Sequence, residues 1–174
     1  MSRAKNLVLI GLMGVGKTSV GKHLAQNLGW KFLDTDHVLE ERCGADIPWI
    51  FDIEGEAGFR RRETEVLEDL CQYKNTVIAT GGGIVLSEHN RSLLKTCGTV
   101  IYLAATPAQL YARVAHDTHR PLLQVENPEE VLAKLLAQRE PLYKEVADLV
   151  IPSEGSRSAK YMADRVADRL GKLK

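Results

Sequence analysis

The chain carries no excess of either charge: Lys plus Arg and Asp plus Glu number 23 each, so net charge points to neither a nucleic-acid partner nor an anionic membrane. Any anion site must be local. Cysteine is scarce. Cys43, Cys71 and Cys97 are widely separated and form no C-x-x-C pair, which argues against a disulfide framework and a zinc site and makes reduced thiols in cytoplasm the expectation. No apolar run near the N-terminus is long enough for a secretory signal or a membrane span. The five histidines are scattered, and His116 and His119 lack a carboxylate or cysteine in ligand spacing, so they are read as surface residues. There is no internal repeat, low-complexity tract or linker. With 174 residues, 44% of them hydrophobic and 26% charged, residues 1–174 are expected to form one globular domain, and a monomer.

What is present is organised around Leu7 to Thr18. Leu7 to Ile10 suits a strand buried on both faces, and from Ser19 to Leu28 the residues Val20, Leu24 and Leu28 fall on one helical stripe. Between them Gly11, four residues, then Gly16, Lys17 and Thr18 match the P-loop pattern G-x-x-x-x-G-K-[ST]. Glycines let backbone N–H groups converge on phosphate, and the helix N-terminus adds positive potential. Lys17 can reach the β- and γ-phosphates, and the Thr18 hydroxyl is suited to Mg²⁺. A nucleoside triphosphate is the expected ligand.

Further along, Trp30 to Leu33 reads as a second strand that delivers Asp34, Thr35 and Asp36 to its C-terminal end, where open α/β sheets bind ligands. Two carboxylates one residue apart can serve a metal and an acceptor hydroxyl; equally, Asp34 or Thr35 can cap a helix from Asp36 to Arg42. Asp46 and Pro48 start a short helix closed by Gly55, and a longer one runs from about Glu56 to Cys71. Arg60, Arg61 and Arg62 point around most of that helix, so at most two share a face with a pocket; Glu63 and Glu65 are the expected partners of the others. Thr76 to Thr80 is a third strand that runs into Gly81, Gly82 and Gly83, where a ligand can approach bare backbone. A helix from Ser87 to Cys97, a strand from Thr99 to Leu103 and a helix begun by Thr106 and Pro107, carrying Arg113, come next. Periodicity lapses from His116 to Asn127, as in a loop beside a site, with Arg120 placed to swing onto phosphate. Asn127 and Pro128 cap a long helix to about Ala147, interrupted at Pro141 with Arg139 just before; Leu149 to Ile151 is a fifth strand, and Ser158 to Leu170 a closing helix. Five strands alternating with helices give an α/β fold, a five-stranded parallel sheet flanked by helices on both faces.

Taken jointly, the P-loop from Gly11 to Thr18, Phe32-Leu33-Asp34-Thr35-Asp36, Gly55 to Glu63, the triple glycine, Arg120-Pro121-Leu122-Leu123 and Arg139-Glu140-Pro141-Leu142-Tyr143 resemble the shikimate kinase family over nearly the whole chain. The resemblance implies a P-loop fold of the nucleoside-monophosphate-kinase type, with acceptor-binding helices over about 34–62 and a lid over about 114–127. It also implies transfer of the ATP γ-phosphoryl group to the 3-hydroxyl of shikimate, in aromatic amino-acid biosynthesis. By that likeness Gly14, Val15, Gly16, Lys17, Thr18 and Ser19 hold ATP, Arg120 meets its phosphates, and Arg113 and Arg157 lie toward the adenine. Thr18 and Asp34 serve Mg²⁺. Asp36 binds and deprotonates the acceptor, so Asp36, Lys17 and Arg120 are the catalytic set. Arg60 and Arg139 clamp the carboxylate, where a planar bidentate donor suits better than lysine. Gly81, Gly82 and Gly83 form the substrate-side backbone, and Glu63 orients Arg60. Another kinase of the same fold, acting on gluconate or a nucleotide, is the alternative; Asp34, Asp36, Arg60, the triple glycine and Arg139 favour a carboxylated polyol.

Overall fold

A computed structural model describes residues 6–115, 125–154 and 157–173. Five strands, β1 (Asn6–Ile10), β2 (Lys31–Asp34), β3 (Thr76–Ala79), β4 (Gly98–Ala104) and β5 (Leu149–Pro152), pair in the order β2-β3-β1-β4-β5, every pair parallel. The helices between them are α1 (Lys17–Leu28), α2 (Thr35–Cys43), α3 (Ile47–Leu70), α4 (Glu88–Cys97), α5 (Pro107–Val114), α6 (Pro128–Val146) and α7 (Ala159–Gly171). Strand alternation divides the core. Leu7, Leu9, Val77 and Ile101 pack on one face with Val20 and Leu24 of α1 and Met162 of α7. Val8, Ile10, Ile78 and Val100 pack on the other with Leu39, Leu67, Leu94 and Tyr143. All of β1 is buried, as its unbroken aliphatic sequence requires.

Some local expectations hold and others change in detail. Gly55 closes the first helical stretch, as expected: at φ 73° and ψ 177° it breaks the helical path within α3, and the chain re-enters helix on the far side. That kink needs a backbone that a side chain would strain. Pro141 lies inside α6, which continues through it to Val146, because burial of Tyr143 and Val146 on the following turn offsets the lost backbone hydrogen bond. Asn127 precedes α6, but its side chain makes no capping bond. Arg62 pairs with Glu54 (2.7 Å) across the kink, and Arg61 is exposed.

The cysteine expectation is overturned. Cys71, at the end of α3, and Cys97, at the end of α4, are joined as a disulfide, with Cα atoms 4.8 Å apart. Two helix ends meet there behind β1, a juxtaposition that sequence spacing does not reveal. Cys43 is a free thiol. Among the described residues no helix is long and apolar enough to cross a membrane.

Candidate active site

The sheet order sets the site, because β2, β3 and β1 are neighbours and all three end on the same edge. Side by side they deliver Asp34 with Asp36, the triple glycine and the P-loop. Buried threonines lock these ends together. Thr80 donates through both its amide (3.1 Å) and its hydroxyl (2.8 Å) to the Leu9 carbonyl, tying β3 to β1. Gly81 N–H donates to Thr35 Oγ1 (3.0 Å), tying the triple glycine to the start of α2.

In the P-loop, Gly11, Gly14 and Gly16 all have positive φ, at 149°, 86° and 97°. The first of these is also crowded: a Cβ on Gly11 would lie 2.6 Å from the Leu103 carbonyl oxygen, so only glycine lets the loop cross β4 so closely. Lys17 starts α1, and its ammonium donates to the carbonyls of Gly11 (2.6 Å) and Leu12 (3.0 Å) across the mouth of the loop. Val15 is buried within the loop, while Thr18 and Ser19 are exposed on the first turn. Arg113 reaches from α5 to the Val15 carbonyl (2.6 Å) and to Ser153 Oγ (3.0 Å), bracing the loop against the segment that follows β5. Arg157 lies over the Tyr161 ring at 4.8 Å. Arg120, His116, His119 and most of the expected lid lie outside the described residues.

Asp34 takes the capping role weighed for it and also holds the P-loop threonine. One carboxylate oxygen caps α2 by accepting from the amides of Asp36 (2.9 Å) and His37 (3.3 Å); the other accepts from the Thr18 hydroxyl at 2.6 Å. The fit to Mg²⁺ can be judged from these donors. Among the described residues no group of three His, Cys, Asp or Glu side chains could hold a metal. Among the described residues the donors that meet at the P-loop are the Thr18 hydroxyl and the Asp34 carboxylate, which would leave other positions to phosphate and water and suits an ion that keeps much of its hydration.

The acceptor side is built from buried charge. Asp36 Oδ1 and Glu63 Oε2 are both buried without a hydrogen-bond partner, and both border Gly81, where an added Cβ would meet them at 2.8 and 3.0 Å. Burial pushes the Asp36 carboxyl up to about 7, with Asp34 and Glu63 adding to the rise and Lys17 opposing it. Burial also raises the Glu63 carboxyl, against the pull of Arg60. Arg60 donates to Glu63 Oε1 (3.0 Å) and lies 3.6 Å from Glu56. Its guanidinium fills the space where Gly83 would carry a side chain. Arg139, buried on α6, lies 3.4 Å from the corresponding position on Gly82, as does the Met13 amide of the P-loop. Gly82 thus stands where the two halves meet. Its carbonyl accepts from the Tyr143 hydroxyl at 2.5 Å.

Asp36, Arg60, Glu63, Gly81, Gly82, Gly83 and Arg139, dispersed over the sequence, are brought to one pocket beside Lys17, Thr18 and Asp34. Thr35, Thr80 and Tyr143 are the residues that motif reading missed. Thr35 had a signal, since it lies between the two aspartates; a single threonine at a strand end or a single tyrosine on a helix reads as core.

A phosphate-cradling loop that shares an edge with a pocket of buried carboxylates and arginines defines a P-loop phosphotransferase acting on a small anionic acceptor. The family model for shikimate kinase matches residues 13–170. A shikimate kinase of Vibrio campbellii is 50% identical over 170 residues, covering 98% of each chain; one of Histophilus somni is 48% identical over 175 residues, covering 100% of this chain and 99% of the other. Among solved structures, shikimate kinase from Acinetobacter baumannii in complex with shikimate superposes with a TM-score of 0.94 at 47% identity, covering 98% of this chain and 95% of that one. The chain belongs to the shikimate kinase family, kinases that take ATP as co-substrate.

Proposed function

We propose that the chain transfers the γ-phosphoryl group of ATP to the 3-hydroxyl of shikimate, with the two halves of the site holding one substrate each. The observation that carries this reading is the unpartnered, buried Oδ1 of Asp36, which borders the Gly81 space between Glu63 and the P-loop. A pocket that buries an unsatisfied carboxylate oxygen gains most from a ligand that brings a hydroxyl hydrogen. Arg60 and Arg139 flank the same space and suit the carboxylate of a polyol acid. The Acinetobacter relative, whose structure holds shikimate, supports the same acceptor.

In this reading Asp36 accepts the proton of the 3-hydroxyl as its oxygen attacks the γ-phosphorus and ADP leaves. A carboxyl raised to about 7 is matched to that task near neutral pH. Lys17 leaves the Gly11 and Leu12 carbonyls for the phosphates, and Arg120 closes over them with the lid. Thr18 and Asp34 hold Mg²⁺, which when bound neutralises charge across the β- and γ-phosphates. The P-loop amides of Gly14, Val15 and Gly16 and the Ser19 turn cradle the phosphates, while Arg113 and Arg157 border the adenine. The enzyme acts as a cytoplasmic monomer.

ADP release measured with ATP and Mg²⁺ against shikimate, gluconate and nucleoside monophosphates separately is the test. Turnover with shikimate alone, abolished by a chelator of divalent cations, is expected; no turnover with shikimate overturns the assignment.

A further inference from the structure

The carbonyls of the triple glycine are tied one by one. Gly81 O accepts from the Ile84 amide (3.1 Å) and Gly83 O from the Leu86 amide (3.1 Å), both in the 3₁₀ turn Ile84–Leu86 that follows. The middle carbonyl, Gly82 O, accepts instead from a side chain distant in sequence, the Tyr143 hydroxyl at 2.5 Å. This difference bears on where amides point. A peptide unit between two glycines has low steric cost for rotating as a plane, since neither residue carries a Cβ. In a trans peptide, and among the described residues no peptide is cis, the C=O of Gly82 and the N–H of Gly83 point in opposite directions. Fixing the carbonyl on Tyr143 therefore aims the Gly83 N–H away from α6's tyrosine.

We propose that Tyr143 is a positioning residue for the acceptor: its hydroxyl holds the Gly82–Gly83 peptide in the one orientation that presents the Gly83 N–H to the acceptor pocket. Tyr143 is equipped to hold that position. It is fully buried, and its ring stacks on Tyr102 with centroids 5.0 Å apart. Burial pushes its phenol up to about 12, so it remains a donor at any working pH. It also lies one helical turn after Arg139, on the same face of α6. One helix face thus supplies both a cation beside Gly82 and the lock on Gly82's own carbonyl. The far side of the turn is held separately: Arg91 donates to the Val85 carbonyl (2.8 Å) and pairs with Glu145 of α6 (2.7 Å).

This inference rests on the acceptor reading given above, and the experiment keeps the two apart. Tyr143→Phe retains the ring and its stacking but leaves the Gly82 carbonyl without its donor. The expected result is a shikimate KM raised about 10-fold, with the ATP KM and kcat within about twofold of wild type, because a contact made equally in ground and transition states changes KM alone. Tyr102→Phe is the control: it removes the neighbouring phenol, which donates to Glu140 (3.1 Å) and does not touch the triple glycine, and should leave both KM values unchanged. A shikimate KM unchanged in Tyr143→Phe, or raised equally in Tyr102→Phe, overturns the proposal even though wild-type turnover of shikimate upholds the acceptor reading. Absence of wild-type turnover defeats that reading instead. Should Tyr143→Phe fail to fold, wild-type protein labelled with ¹⁵N-glycine decides: the Gly83 amide resonance must move on adding shikimate, and a resonance that stays in place overturns the proposal.

Discussion

The nucleotide half and the acceptor half of this site are built on opposite plans. The core of the nucleotide half is continuous in sequence: a buried strand, a loop of positive-φ glycines and the first turn of α1 carry Lys17 and Thr18, with Asp34 and Arg113 bracing them from outside. The acceptor half is assembled from α2, α3, the end of β3 and α6, and it relies on side chains buried with their charge, Asp36, Glu63 and Arg139. A backbone cradle tolerates variation around it, whereas buried ionisable groups hold one another and fail together. The first plan suits a ligand common to many enzymes; the second suits a ligand that must be told from its analogues.

The largest effect should come from the nucleotide half. Lys17→Met is expected to lower kcat by about 10³-fold, since it removes a charge aimed at the transferring group; steady-state rates at saturating shikimate check this. Near-normal kcat would mean that the loop binds ATP without taking part in transfer. Asp36→Asn comes next and tests the boundary between the halves. It should lower kcat about 10²-fold with ATP affinity retained, and it should abolish the rise of kcat/KM as pH passes through about 7.

The same residue makes a prediction about stability. Its carboxyl is raised in the fold from the ordinary 3.8 to about 7, so between pH 4 and pH 7, roughly, the native state keeps a proton that the unfolded chain has released. Stability contributed by this group therefore falls as pH rises through that window. Asp36→Asn should melt above wild type at pH 8, by on the order of 1 kcal/mol or more, with the gap closing toward pH 4. Parallel melting curves at all pH values would contradict the buried, raised carboxyl.

The smallest effect belongs to the clamp. Arg139→Lys keeps the charge and loses the planar fork, so the shikimate KM should rise about 10-fold while the ATP KM holds. Equal changes in both constants would show that Arg139 supports the fold around Gly82 rather than the acceptor.

What sequence revealed follows the same division. The P-loop, the order of strands and helices along the chain, and the capping by Asp34 were legible because each is a local pattern: a strand turning into a helix at glycine, or a carboxylate at the right offset from an amide. The acceptor pocket was legible only as a family resemblance, because nothing in the spacing of residues 36, 60, 81–83 and 139 shows that they meet. Partners joined across the fold were hidden for the same reason. Cys71 and Cys97, 26 residues apart, looked like isolated thiols, and Tyr143 was legible only as the last residue of a family segment, with no role attached. Pro141 was read as an interruption of its helix, and packing on the following turn carries the chain through it, whereas Gly55, read as the end of a helix, does break the helical path.

The placement of β3 between β2 and β1 has a consequence for redesign. Neighbouring parallel strands run about 4.8 Å apart, so the three strand ends form adjacent lanes, β1 leading into the P-loop, β3 into the triple glycine and β2 into Asp34, which accepts from Thr18 of the P-loop. Thr80 and Thr35 fasten the lanes to one another. The end of β3 and the arginines that face it are therefore the place to redesign for a different small alcohol, while Asp34 at the end of β2 must stay because it holds Thr18 of the P-loop.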